Sequence, residues 1–346
     1  MLAALGLATV VLAACGSSGS VASARPKVPV ARDELPAALD NGAKGRNPFR
    51  SKASVSPAKA CADTVHSTDR SLVIRVLRDG PRLPDGGLAF TSGVCVYLPP
   101  GYVERSTRYP VVYLLHGGGG NAGDAVAQGH LRQMMDGLIV DDPKQAAIVV
   151  TPDGDDGQWY DGFDGKIRNE TYVAAYLIPY IDRHFRTIPT RAGRAITGVS
   201  NGGFGAMLLA EKHPKLFGAA GGMSSNLDWF GARDLDDPNG AYYRANHPSE
   251  HVDQLAHTDV VLDISSRCTS TDPADLCATQ GIDQLFLPSN RVFVTMLTAV
   301  PGRQSVIDYR EDDGSHQWST WTERLRTRQL PFLFQRLTDP QGTKAR

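Results

Sequence analysis

The sequence lacks the features that mark several classes of protein. Its formal net charge is −1, so it has no excess of positive charge with which to attract nucleic acid or an anionic surface. Beyond residue 14, no apolar run approaches the roughly 20 residues that a membrane-spanning helix needs. Its five cysteines show no Cys-x-x-Cys spacing and have no histidine within four residues, so a zinc site is not indicated. We therefore expect no nucleic-acid partner, and no membrane contact except through the N-terminus.

The composition is that of an ordinary globular protein. The chain has 346 residues, of which 41% are hydrophobic and 21% charged. This is enough for one large domain with a substantial core. The oligomeric state is not indicated by the sequence.

The N-terminus resembles an export signal. Leu2–Ala14 is almost wholly apolar and ends in Leu-Ala-Ala followed by Cys15. A short apolar run before small residues is typical of a secretory signal. The Leu-Ala-Ala-Cys string also resembles a bacterial lipobox, in which the cysteine becomes the lipidated first residue, although no Lys or Arg precedes the run. We expect residues 1–15 to be a signal with its anchor cysteine, and the protein to be exported, lipid-anchored to the outer face of the cell membrane or secreted.

The other four cysteines fit disulfides. Four cysteines allow three pairings, and the pairing with the shortest loops joins Cys61 to Cys95 and Cys268 to Cys277. Disulfides form in an oxidising compartment, which agrees with export.

Composition and periodicity divide the chain. Residues 16–60 are rich in Ser, Ala, Pro, Gly and Lys and predict a flexible tether, and residues 339–346 form a polar tail. Between them, residues 61–338 alternate short β-branched runs with amphipathic stretches, which predicts an α/β domain with a mostly parallel sheet covered on both faces. We interpret residues 223–257 as an irregular insertion. The predicted strands are Leu72–Leu77, Val94–Leu98, Val111–Leu115, Ala147–Val150, Ala195–Val199, Val260–Ile264 and Ser305–Tyr309, and the predicted helices include Tyr172–Phe185 and Phe204–Lys212.

A Gly-x-Ser-x-Gly motif carries the candidate nucleophile. Residues 198–202 read Gly-Val-Ser-Asn-Gly, between a predicted buried strand and a predicted helix. A sharp strand-to-helix turn needs glycines around the serine and exposes its hydroxyl at a helix N-terminus, which favours developing negative charge. This setting predicts Ser200 as the nucleophile of an α/β-hydrolase fold. The alternative is a glycine-rich turn with an idle serine.

A run of glycines predicts an oxyanion site. His116 and four glycines follow the apolar strand Val111–Leu115, with no Gly-Lys-Ser/Thr sequence of a phosphate loop. A glycine backbone can direct an N–H at a carbonyl oxygen, and the residue after the nucleophile supplies a second donor. We predict Gly118 and Asn201 as these donors, with Gly117 as the alternative to Gly118 and a structural role for His116.

The base and the acid follow from chain order. A serine needs a base, and the base needs an orienting acid, in the order Ser, acid, His for this fold. His316 follows the predicted strand Ser305–Tyr309 and precedes an amphipathic stretch, where the base is expected. Among the aspartates between Ser200 and His316, the candidate acids are Asp263, Asp272, Asp275 and Asp283. The pattern alone favours Asp272 or Asp275, just past the strand Val260–Ile264, although both lie inside the predicted Cys268–Cys277 loop, which we expect to be exposed.

These residues resemble a known family, the esterase D-like branch of α/β-hydrolases. It includes S-formylglutathione hydrolases, feruloyl and acetylxylan esterases, and secreted mycolyltransferases. Tyr97–Tyr102 resembles its opening strand, Tyr113–Gly117 its oxyanion strand, and Ser289-Asn290 with Gly314–Trp321 the mycolyltransferase C-terminus. The resemblance implies that the acid is Asp283, shortly before the Ser-Asn pair and in an Asp-x-Phe-Leu-like segment. The oxyanion loop departs from the mycolyltransferase pattern and is closer to that of ordinary esterases.

The sequence therefore predicts an exported serine esterase with Ser200, Asp283 and His316 as its triad and no cofactor. Its substrate would be a small-molecule, glycan or lipid ester. Two alternatives are acyl transfer to a sugar hydroxyl and a non-catalytic surface binding protein on a hydrolase scaffold.

Overall fold

Short apolar strands form the centre of the protein. The computed structural model describes residues 61, 71–76, 93–154, 159–162, 168–227 and 240–337. The strands are β1 (Leu72–Val76), β2 (Val94–Leu98), β3 (Val111–Leu115), β4 (Ile148–Thr151), β5 (Arg194–Gly198), β6 (Ala219–Met223), β7 (Asp259–Cys268) and β8 (Ile307–Gly314). They form one sheet in the order β1-β2-β4-β3-β5-β6-β7-β8. The strands from β3 to β8 run parallel, whereas β2 pairs antiparallel with β1 and β4.

Helices connect the strands. They are α1 (Asp124–Ala127), α2 (Leu131–Asp141), α3 (Asn169–Thr171), α4 (Ile178–His184), α5 (Asn201–Lys212), α6 (Ala241–Ala245), α7 (Leu276–Gln280), α8 (Ile282–Thr298), α9 (Trp318–Arg324) and α10 (Leu330–Phe334). Two π-helical segments, Tyr172–Leu177 and Leu325–Gln329, join α3 to α4 and α9 to α10. Short 3₁₀ turns occur at Pro143–Gln145, Arg191–Gly193, Pro248–Glu250 and Val252–Leu255.

The sheet separates two hydrophobic cores. Successive side chains of a strand point to opposite faces, so alternate residues of one strand enter different cores. Val111, Tyr113 and Leu115 of β3 pack with residues of α4, α5 and α8. Val112 and Leu114 pack instead with residues of α2, α9 and α10. Both faces of the sheet are therefore covered by helices, which suits a central strand such as β3 that is apolar along its whole length.

The predicted fold class is confirmed, and most predicted strands lie within a residue or two of the observed ones. Two predicted strands were too short: β7 extends to Cys268 and β8 to Gly314. Strand β6 was not predicted because its sequence, Ala-Ala-Gly-Gly-Met, contains no β-branched or aromatic residue. It lies between β5 and β7, so its neighbours in the sheet outweigh its weak local preference. The predicted irregular stretch 223–257 contains the short helix α6 and two 3₁₀ turns in the part that the structure describes.

Disulfides join Cys61 to Cys95 and Cys268 to Cys277, with Cα–Cα distances of 5.9 and 5.7 Å, inside the usual range. The first attaches residue 61 to β2, and the second closes a loop between β7 and α7. Among the described residues, no helix combines the length and the apolar character needed to cross a membrane. The predicted signal and anchor at 1–15, including Cys15, the tether at 16–60 and the tail at 339–346 lie outside the described residues.

Candidate active site

Ser200 occupies a strained turn between β5 and α5. Its φ is 54° and its ψ is −122°, a conformation that non-glycine residues seldom adopt. The turn is held because the Ser200 N–H donates to the carbonyl oxygen of Met223 at 2.8 Å. A side chain at Gly202 would put its Cβ 2.3 Å from the Leu115 carbonyl oxygen, so this position requires glycine. The predicted strand-Ser-helix arrangement is therefore present, with the hydroxyl at the N-terminus of α5.

Three side chains from distant parts of the chain form a continuous line of hydrogen bonds. Nε2 of His316 lies 3.1 Å from Oγ of Ser200, and Nδ1 lies 2.6 Å from Oδ1 of Asp283. An ionised carboxylate only accepts hydrogen bonds, so Nδ1 carries the proton and Nε2 is free to accept from the serine hydroxyl. The three predicted triad residues thus lie together, with a geometry that allows the imidazole to take the Ser200 proton.

Asp283 lies in the first turn of α8 and has no exposed surface. Burial opposes its ionisation, but the hydrogen bond and the charge of His316 outweigh burial, with a further contribution from Ser224, and hold the pKa of its carboxyl below its usual value. Oγ of Ser224 donates to Oδ2 at 3.1 Å. The helix N-terminus also favours negative charge at this position. The carboxylate is therefore ionised and fixed at both oxygens.

The residues that support Asp283 and His316 have no role predicted from the sequence. Ser224 follows the unpredicted strand β6, has a φ of 50° and accepts a hydrogen bond from Nε1 of Trp321 at 3.1 Å. The Trp321 ring packs edge-on against His316, with centroids 5.0 Å apart, and Phe286 packs on it at 6.2 Å. The Trp-x-x-Trp spacing of α9, which places two indoles on one helix face, was the available signal for Trp321.

The glycine loop lies against the nucleophile. The Gly120 N–H donates to the Gly117 carbonyl oxygen at 3.1 Å, and Gly119, the third residue of this turn, has a φ of 70°, which favours glycine. A Cβ at Gly117 would lie 3.1 Å from Cβ of Ser200. Gly118 follows in this turn, and Asn201 is the first residue of α5, whose N–H has no acceptor within the helix. The glycine loop and the first residue of α5 thus both lie next to Ser200 in the structure, and the oxyanion donors stay a prediction.

His116 braces the glycine loop. Its Nδ1 lies 2.8 Å from the Gly117 carbonyl oxygen, and its Nε2 accepts from the Gly154 N–H at 2.8 Å. Its carbonyl oxygen accepts from Nε1 of Trp159, whose ring packs edge-on against the imidazole. The structural role that the sequence predicted for His116 agrees with these contacts.

The two alternative acids do not reach the imidazole. Asp272 is exposed and bonds the side chain of Gln317 at 3.0 Å. Asp275 was expected on an exposed loop, and this expectation was wrong, because Asp275 has no exposed surface and accepts from the backbone N–H of His316 at 3.1 Å. In the described part of the chain, no three His, Cys, Asp or Glu side chains are arranged to hold a metal ion.

A known protein family matches most of this chain. The sequence profile of the Esterase family matches residues 90–332, which include the glycine loop, Ser200, Asp283 and His316. The chain belongs to the Esterase family. The resemblance to esterase D-like proteins is confirmed by this match and by the relatives that follow.

Two relatives match part of the chain. Esterase Rv1288 of Mycobacterium tuberculosis is 35% identical over 145 residues, which are 40% of this chain and 30% of that protein. An endo-1,4-beta-xylanase/feruloyl esterase of Xylanibacter ruminicola is 34% identical over 155 residues, 43% of this chain and 21% of that protein. The chain thus spans less than a third of the length of these two relatives.

Solved structures share the fold. A ferulic acid esterase superposes with a TM-score of 0.62 at 23% identity, covering 78% of this chain and 100% of the other. MPT51 of Mycobacterium tuberculosis superposes with a TM-score of 0.58 at 21% identity, covering 77% of this chain and 99% of the other. At these identities the likeness establishes the α/β-hydrolase fold alone.

Proposed function

We propose that the protein is a serine esterase that hydrolyses a carboxylic ester through an acyl-enzyme on Ser200. The observation that carries this proposal is the line of hydrogen bonds from Ser200 through His316 to Asp283, in a member of the Esterase family. A serine hydroxyl is a weak nucleophile until a base takes its proton, and His316 is within reach to do so.

In the proposed mechanism, Nε2 of His316 takes the proton of Ser200 as Oγ bonds to the acyl carbon. The oxyanion that forms is held by the N–H groups of Gly118 and Asn201, with Gly117 as the alternative to Gly118. His316 then gives its proton to the departing alcohol, and an acyl-enzyme remains. Water, deprotonated by His316, attacks the acyl carbon, and the acid leaves as Ser200 regains its proton. Asp283 holds the ring in the required tautomer and stabilises the imidazolium in both steps.

Turnover of a panel of p-nitrophenyl esters with short and long acyl chains tests this proposal. We expect the wild-type protein to release p-nitrophenol, with a preference for one chain length that reports the size of the acyl site. Ser200→Ala should lose this activity while keeping the thermal unfolding profile of the wild type. Equal turnover by wild type and Ser200→Ala would contradict the assignment.

A second candidate function is transfer of the acyl group to a sugar hydroxyl. It is favoured by a relative of known sequence, the diacylglycerol acyltransferase/mycolyltransferase Ag85A of Mycobacterium gordonae, which is 26% identical over 190 residues. Repeating the ester assay with and without trehalose, and separating acid from acylated sugar by mass, distinguishes the two functions: hydrolysis yields free acid in both cases.

The proposed location is the outer face of the cell membrane, through a lipid on Cys15. It is supported by the Leu-Ala-Ala-Cys sequence and by two disulfides in the folded domain. Two acyl chains suffice for stable anchoring, since each buried methylene contributes about 0.8 kcal/mol. We expect the mature protein to begin at an acylated Cys15, to partition into detergent, and to be released or mislocalised by Cys15→Ser. An unmodified N-terminus at Met1 in the intact mass would contradict this.

A further inference from the structure

The loop closed by the Cys268–Cys277 disulfide contacts the loop that carries His316 at three points. The Thr269 N–H donates to the carbonyl oxygen of Gly314 at 2.9 Å. The His316 N–H donates to Oδ1 of Asp275 at 3.1 Å. Nε2 of Gln317 donates to Oδ2 of Asp272 at 3.0 Å. The disulfide loop thus binds His316 itself and a residue on each side of it.

Of these contacts, only that of Asp275 involves a fully buried carboxylate. Oδ1 also accepts from the Cys277 N–H at 2.8 Å, which caps α7. Oδ2 is buried and has no hydrogen-bond partner among the described residues. Burying a carboxylate that is only partly satisfied is costly. The cap of α7 alone does not explain why Asp275 is buried, because an exposed aspartate caps a helix equally well.

Asp275 and Asp283 act on different parts of the same histidine. Asp283 bonds Nδ1 and so fixes the tautomer and the rotation of the ring. It does not fix where the backbone of His316 lies, which sets the distance from Nε2 to Ser200. Asp275 bonds the backbone N–H of His316 and is itself tied to β7 by the adjacent disulfide.

We propose that Asp275 is a positioning residue for His316, held in place by the Cys268–Cys277 disulfide. The inference rests on the proposed function, in which His316 is the base. A displacement of about 1 Å between reacting groups can cost about 10²-fold in rate, so a loop that sets the position of the imidazole controls the chemical step without touching the substrate.

Paired substitutions at Asp275 test the proposal. Asp275→Asn retains an oxygen that can accept from both N–H groups and should keep kcat close to the wild type. Asp275→Ala removes the acceptor and should lower kcat by about 10²-fold with KM little changed. The rate of labelling by a fluorophosphonate should fall in parallel. Asp142→Ala is a matched control, because Asp142 also caps a short turn, through the Lys144 N–H at 3.0 Å, and we expect it to leave kcat unchanged.

A variant without the disulfide keeps the test open if Asp275→Ala does not fold. Cys268→Ala/Cys277→Ala retains the Cys61–Cys95 bond and should lower kcat in the same direction, with unfolding still cooperative. The proposal is overturned if folded Asp275→Ala or the double cysteine variant retains wild-type kcat, or if Asp275→Asn loses as much as Asp275→Ala. Any of these outcomes would overturn the role of Asp275 and leave the proposed esterase function intact. A wild-type protein that neither hydrolyses esters nor labels would overturn both.

Discussion

Two buried carboxyl groups, one beside His316 and one near the C-terminal end of α5, have opposite surroundings. Asp283 is 0% exposed and Glu211 is 1% exposed. Asp283 bonds His316 and Ser224, and its pKa is lowered despite burial. Neither carboxylate oxygen of Glu211 has a hydrogen-bond partner among the described residues, and burial, with some repulsion from Asp253, raises its pKa well above the usual value. Hydrogen-bond partners rather than burial decide which buried carboxyl is ionised.

The two carboxyls therefore contribute differently. Asp283, which its partners favour in the ionised form, can orient an imidazole and stabilise its positive charge. Burial favours the protonated form of Glu211, whose side chain packs in the core. Substitutions that keep the shape but remove the ability to ionise should separate these contributions.

The largest expected effect is that of Asp283→Asn on activity. The amide is nearly isosteric with the carboxylate but does not stabilise the imidazolium, and it favours the wrong tautomer. An analogous change in another serine hydrolase lowers kcat by about 10⁴-fold, and we expect a loss of this order in ester turnover. Glu211→Gln should leave kcat unchanged.

Asp272→Asn provides the control for Asp283→Asn. Asp272 is exposed and lies on the neighbouring loop, so its amide variant should keep kcat close to the wild type. A loss at Asp272 as large as that at Asp283 would mean that the orienting acid has been misassigned.

The next effect is on stability and depends on pH. Because the pKa of Glu211 is higher in the folded than in the unfolded protein, unfolding releases its proton at pH values between the two. The wild type therefore loses stability as the pH rises above the pKa that Glu211 has in the unfolded protein. Glutamine does not titrate. Glu211→Gln should therefore melt like the wild type near pH 4 and above it at pH 8, by about 2–4 °C for each kcal/mol gained. Melting curves across this range measure the difference; a gap that is independent of pH would show that Glu211 does not hold its proton.

The smallest effect concerns Trp321, which bonds Ser224 and so acts on Asp283 through Ser224. Trp321→Phe keeps a ring against His316 but removes the N–H that Ser224 accepts. A typical hydrogen bond contributes about 0.5–1.5 kcal/mol, so we expect kcat to fall by about two- to tenfold. A loss as large as that of Asp283→Asn would show that the Ser224–Trp321 contact is as important as the carboxylate itself.

The parts of the site that depend on local patterns could be predicted from the sequence. The turn at Ser200 and the glycine loop each follow an apolar strand directly, and the steric demand of a tight turn leaves a visible glycine pattern. Spacing along the chain failed for the acid, because it pointed to Asp272 and Asp275, next to β7. Asp283 lies instead in the first turn of α8, and only the family resemblance selected it.

The supporting residues depend on tertiary contacts that have no local signature. Ser224 was missed because β6 has weak strand preference and is placed by its neighbours in the sheet. The burial of Asp275 was missed because the polar composition of the loop between Cys268 and Cys277 predicts exposure. In the structure this loop packs on the loop of His316.

Mapping of a fluorophosphonate adduct tests the central claim most directly. The wild-type protein should gain the mass of one probe, and the labelled peptide should place it on Ser200. Asp283→Asn should label far more slowly at the same residue, Glu211→Gln at the wild-type rate, and Ser200→Ala not at all. A stoichiometric adduct on another residue, or labelling that persists in Ser200→Ala, would contradict the account.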